Sequence, residues 1–209
     1  DRLKVYEIPE GAKNSKGRAI QNLLNIDADD AVNTVIPVKG LNDAEFVNSH
    51  NLVFCTRQGV VKKTSLAAYS RPRANGVNGI IIREGDQLAN VDLTDGNAEI
   101  IIANRNGRAI RFNESKVREM GRVSTGVRGM TLDGGDDEVV GMICVEPDSA
   151  NNVLVLSENG YGKRTDVGAY RITNRGVKGV KTMNITDKTG KLVGILSVND
   201  DNDLMIINK

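Results

Sequence analysis

The 209 residues carry 28 basic and 27 acidic side chains, so the net charge of +1 excludes attraction to a polyanion through bulk charge and leaves only its distribution. Aromatics are 3% of the chain and tryptophan is absent, which excludes a base-stacking platform for single strands. No apolar run approaches the roughly 18 residues of a membrane span, and the charged N-terminal residues do not read as a signal peptide.

In chain order, residues 1–10 read as a strand end closed by Pro9, and 18–24 and 31–38 read as strands around the acidic turn 26–30. The runs 52–56 and 60–64 flank a turn at Gly59. The next unit offers 79–82, an acidic turn at 84–86, then 88–93 and 99–103, an Asn106-Gly107 turn, and 108–112. The third offers 129–132, the acidic loop 133–138, then 139–145 and 153–157, an Asn159-Gly160 turn, and 161–165. A fourth begins at 179–185 and continues through 192–198 and 204–208. Asn-Gly between apolar runs predicts type I′ hairpins, with both central residues at positive φ.

One phrase sets the period. GVNG at 76–79, GVRG at 126–129 and GVKG at 176–179 recur every 50 residues, with a weaker copy, NSKG, at 14–17. Four short strands per period and no convincing helix predict one all-β domain over 1–209, a propeller-like array of four-stranded blades of about 50 residues each. A sandwich of similar hairpins is the alternative. The chain starts and stops abruptly, as a piece of something longer would.

Charge follows the same period. Acids gather at 84–99 and 133–148, whereas bases gather on the last strand of each unit and the link beyond it. Arg57, Lys62, Lys63, Arg71 and Arg73 belong to one block, with Arg83; Arg105, Arg108, Arg111, Arg122 and Arg128 belong to the next, with Lys116 and Arg118; Lys163, Arg164, Arg171, Arg175 and Lys178 belong to the third, with Lys181. If the last strand lies outermost, these side chains line a curved perimeter that a polyanion can follow. A solvated, aggregation-resistant edge is the plainer explanation for any one block. There is no phosphate loop and no CxxC pair; His50 has no partner motif, and Cys55 and Cys144 read as buried thiols of a cytoplasmic protein. Tyr6, Tyr69 and Tyr170 precede successive anchors and read as packing residues.

The stretches LKVYEIPE (3–10) and KGRAIQNLL (16–24), the tandem anchors and the hairpins followed by bases resemble the C-terminal domain of the bacterial DNA gyrase A protein. That resemblance implies a β-pinwheel whose blades exchange strands, with double-stranded DNA wrapped on its rim in support of negative supercoiling. It further implies an ATP-dependent type II topoisomerase whose partners are the gyrase B protein and a second copy of gyrase A. ATP, Mg2+ and the catalytic residues would belong to parts outside this chain, which would itself hold no cofactor and no catalytic or metal site. The family's basic Gln-Arg-Arg-Gly-Gly-Lys-Gly box is absent; RGVKG at 175–179 only echoes it. The corresponding protein of topoisomerase IV is the nearest alternative, and a protein-interaction propeller without DNA binding is another.

Overall fold

The computed structural model describes residues 1–24, 26, 31–71, 73 and 76–206, so most of the acidic turn 26–30, part of the stretch before GVNG, and the end of the run 204–208 lie outside the described residues. Its strands are β1 (Asn51–Thr56), β2 (Val60–Ser65), β3 (Leu88–Thr94), β4 (Glu99–Asn104), β5 (Arg108–Asn113), β6 (Val127–Arg128), β7 (Val139–Val145), β8 (Asn152–Ser157), β9 (Gly162–Asp166), β10 (Val180–Lys181) and β11 (Leu192–Val198). One short helix, α1 (Ala44–Ser49), precedes β1, capped by the Asp43 carboxylate that accepts from the Glu45 and Phe46 amides at 2.9 and 3.3 Å.

Each blade is built on an antiparallel hairpin: β1–β2, β4–β5 or β8–β9. The hairpin turns are not type I′. Only glycine takes positive φ there, at 79° in Gly59, 81° in Gly107 and 79° in Gly160, and each glycine amide donates to the carbonyl three residues back. This is the three-residue loop closed by a left-handed glycine, so the preceding asparagine needs no strained backbone. At Gly107 a Cβ would also meet the Met183 carbonyl at 2.5 Å, because the chain two units on passes directly beneath the turn.

The sheets do not respect the units. Their orders are β3-β1-β2-β6, β10-β5-β4-β7 and β11-β8-β9. The hairpin of one unit thus takes its inner neighbour from the next unit, and in the first two sheets its outer neighbour comes from the anchor after that. The strands expected at 18–24 and 31–38 are absent among the described residues, where no hairpin precedes β1–β2 for them to join. They form a single 3-10 turn at Ile20–Asn22 and no regular element at 31–38; residues 1–10 likewise contain a 3-10 turn, Val5–Glu7, instead of a strand.

The three sheets stack face to face. Alternation in β4 sends Ile100 and Ile102 into a core with Val53, Cys55, Val61 and Met142, and sends Ile101 and Ala103 into another with Val153, Val155, Leu192 and Ile195. The middle sheet is covered on both faces, which is why EIIIA reads as a continuous apolar run. Each fully buried isoleucine contributes roughly 1.5–3 kcal/mol. Strand β7 packs against both β3 and β11, and within their sheets β2 and β5 lie toward the edge away from β3 and β7. Both cysteines are free thiols, Cys55 buried and Cys144 partly so. Among the described residues no helix is long and apolar enough to cross a membrane.

Candidate nucleic-acid interface

After each hairpin the last strand ends in a capping side chain, Ser65, Asn113 or Asp166, which accepts from the amide two residues on and starts a 3-10 turn. The chain then runs out as a link toward the next glycine anchor. Links two and three lie along the outer strand of the preceding blade: Met120 donates its amide to Lys63 O at 2.8 Å, and Thr173 donates to Arg111 O at 2.8 Å. Successive links also touch. Ile81 donates to Ser124 O at 3.0 Å, Gly176 donates to Gly129 O at 2.6 Å, and Thr131 donates to Val177 O at 3.1 Å. The repeated anchor is therefore the place where neighbouring links meet, as three ribs side by side on the outer edge. Tyr69 and Tyr170 serve this packing, the first donating to Gly79 O at 3.1 Å and the second hydrogen-bonding Thr182. Tyr6 departs from the pattern and is exposed.

The fifteen cations expected to meet DNA fall into three environments. Lys62, Lys63 and Arg111 are buried, at 0%, 9% and 8% exposure, and as placed they do not reach a phosphate. The following link covers the strand that carries them. Lys63 Nζ lies 3.6 Å from the buried Glu114 carboxylate and donates to Glu114 O at 3.1 Å. Arg111 donates to Glu99 through Nε at 2.7 Å and again through Nη2, and its Nη1 serves the Val167 and Tyr170 carbonyls at 2.8 and 3.0 Å. Lys62 has no carboxylate partner among the described residues and donates to two link carbonyls; burial, then the charge of Arg122, pushes its ammonium down to about 8.

A second set shares its surface with acids. Arg57 lies 3.4 Å from Glu138, Arg105 lies 2.9 Å from Glu158 and 3.9 Å from Glu138, and Arg108 and Lys178 lie 3.5 and 2.8 Å from Asp133. Arg164 pairs with Asp200 at 2.7 Å. Lys178 holds the Asp133 carboxyl below the usual carboxylate range, and Lys191 does the same to Asp136. The acidic loops, separate from the basic blocks in the sequence, dock on the preceding hairpin turn. Asp137, buried in its loop, accepts from Asn104 Nδ2 at 2.7 Å and from the Asn106 amide at 3.2 Å. Strand exchange brings these loops there, a juxtaposition invisible within any one unit.

The third set, Arg71, Arg73, Arg122, Arg128, Lys163, Arg171 and Arg175, has no carboxylate within salt-bridge distance among the described residues. All but Lys163 sit on the links. Arg175 spans two of them, donating through Nε to Lys116 O and through Nη1 to Arg128 O, each at 2.9 Å. Lys116, Arg118 and Lys181, in the basic blocks but not among the candidates, are exposed on the same ribs. The sequence carried the signal that separates this set: 66–83 and 167–182 contain no Asp or Glu, and Glu119 is the one exposed acid of the middle link.

A family model described as "DNA gyrase C-terminal domain, beta-propeller" matches residues 2–39, 50–95, 98–146 and 151–199. The DNA gyrase A protein of Staphylococcus aureus is 45% identical over 206 residues, 99% of this chain and 23% of that protein; the Staphylococcus epidermidis protein is 44% identical over the same length. The chain thus spans about a quarter of the curated relatives it matches. Among solved structures, the C-terminal domain of DNA topoisomerase IV superposes with a TM-score of 0.79 at 28% identity, covering 94% of this chain and 59% of that one. The DNA gyrase A C-terminal domain gives 0.77 at 25% identity, covering 95% and 62%. With the period, the strand exchange and the ribbed outer edge all in agreement, the chain belongs to the DNA gyrase A C-terminal domain family.

Proposed function

We propose that the three links form a duplex-DNA-binding edge, and that DNA bends around it as part of a type II topoisomerase that negatively supercoils DNA using ATP bound on a different polypeptide. The carrying observation is that cations free of carboxylates are concentrated on ribs that touch one another, whereas those at the hairpin turns are neutralised. The remainder of gyrase A, a second copy of it and the gyrase B protein would be the partners, in an A2B2 assembly. Successive phosphate contacts release counterions, which supplies the driving force. Bending a 20–30 bp site by 40–90° opposes it by roughly 1–6 kcal/mol. Readout of base sequence is not required, because the contacts fall on backbone and deformability.

Titration against linear duplexes of increasing length at two salt concentrations tests this reading. Affinity should rise with length and fall steeply with salt, and neutralising Arg122, Arg128 or Arg171 should each lower the slope of log K against log salt by about 0.9. Affinity independent of duplex length, or unchanged slopes in all three variants, would refute it. A protein-interaction propeller predicts little affinity for duplex DNA and no dependence on its length.

A further inference from the structure

Lys62 is the buried cation that neither an ion pair nor solvent accounts for. Its Nζ donates to Gly79 O at 2.6 Å on the first link and to Arg122 O at 2.5 Å on the second, and it sits 5.5 Å from the centre of the Phe54 ring. No carboxylate lies within salt-bridge distance among the described residues, and the side chain is fully buried. An apolar residue here would avoid the desolvation of an unpaired ammonium. It could not hold two carbonyls of adjacent ribs together. In the second hairpin the same register position is Ile110; in the third it is Lys163, whose Nζ again reaches a link carbonyl, Thr182 O, at 3.1 Å.

The middle link needs such a tie. Between Met120, bonded to Lys63 O, and Val127, paired with Val61, the segment is held by the Ile81–Ser124 bond and the strap from Lys62. Arg122 stands in the middle of it, partly exposed and without a carboxylate partner among the described residues.

We propose that Lys62 is a positioning residue for the DNA edge: by clasping the Gly79 and Arg122 carbonyls it fixes two neighbouring links at the separation that presents Arg122 to a phosphate. The proposal rests on the reading above. Without the strap the 121–123 segment must be ordered at the moment of binding, an entropy cost that lowers affinity on the order of tenfold.

A double-mutant cycle of Lys62→Met and Arg122→Gln, read by duplex binding at one salt concentration, tests it. Each single variant should weaken binding about tenfold, and the pair should be no weaker than the worse single variant, because one removes what the other positions. Effects that multiply to about a hundredfold, or a Lys62→Met variant that binds like the parent, would overturn the proposal. Denaturant unfolding checks each variant for a folded baseline; should Lys62→Met not fold, Lys62→Gln, too short to span both carbonyls, takes its place with the same expected pattern. Arg128→Gln and Arg171→Gln run alongside: if these weaken binding while the cycle multiplies, the DNA edge stands and the strap does not. If neither of them nor Arg122→Gln has any effect, the DNA edge itself fails and the strap with it.

Discussion

Arg111→Met separates an interior arginine from a DNA contact. The guanidinium serves a carboxylate that is 4% exposed and two carbonyls of the third link. Removing it leaves Glu99 buried without its cation, a loss of roughly 3–5 kcal/mol, against roughly 5–15 for the whole stability of a domain. With an m-value near 2 kcal/mol/M, the urea midpoint should fall by about 2 M. Adding Glu99→Leu deletes the stranded charge and leaves chiefly the two unserved carbonyls, about 1–3 kcal/mol, so the double variant should regain part of the loss. Urea unfolding at neutral pH, followed by circular dichroism, reads both numbers. A single variant costing under about 1 kcal/mol, or a double variant worse than the single, would refute the interior assignment and return Arg111 to the DNA-facing set.

Two further outcomes follow from burial and turn geometry. Lys62 falls to about 8 from an ordinary 10.5, driven by burial and then by Arg122, with Phe54 and the Tyr69 hydroxyl also near it; between those values the unfolded chain holds a proton the folded chain has lost, so stability rises with pH. Burial raises Cys55 from 9.0 to about 12 and Cys144 upward as well, so stability falls above pH ~9 and the maximum lies near there. Lys62→Met should abolish the rise from pH ~8 to ~9, worth at most about 1 kcal/mol in denaturant titrations; equal slopes in parent and variant would count against the burial of this lysine. Gly107→Ala meets both a positive φ of 81° and the Met183 carbonyl, whereas Gly160→Ala meets only a φ of 79° in open space. The first should cost roughly 2–4 kcal/mol and the second roughly 1–2, and equal melting shifts would show that the chain two units on does not press on the turn.

The hairpins, the period and the glycine anchors were legible because each is encoded within a few residues. Strand exchange was implied only by the family resemblance and not by the residues of any one unit, since pairing β2 with β6 joins positions more than 60 residues apart and no unit contains its own sheet. The burial of Lys62, Lys63 and Arg111 was hidden for the same reason. A run such as VVKKT reads as a charged edge strand when its unit stands alone, yet a link from the next unit closes over it. Arg111 did carry a hint, standing between Ile110 and Phe112, both core residues, on a strand with no polar alternation. The acidic loops misled for the opposite reason. Their carboxylates look solvated in sequence, but Asp86 and Asp137 cap the turns of the preceding hairpin.

Exchange also decides what a polyanion meets. Were each unit a closed four-stranded blade, its last strand would be the outer surface, and the cations of β2 and β5 would face solvent. Because the link covers that strand, the surface charge is set by the link, whose residues are free of ladder duties except at β6 and β10. Links can therefore carry arginine without disturbing a sheet, and the strand beneath can spend its own cations on holding the link. At the turns the geometry works the other way: an acid from two units on arrives beside Arg57 and acids from the next unit arrive beside Arg105, so these cations are paired. If the proposed edge binds DNA, this division would draw a duplex to the ribs and not to the turns. Reversing the charge of Glu138 and Glu158 should extend DNA affinity toward the turn end, whereas the same change at the buried Glu114 should cost stability instead.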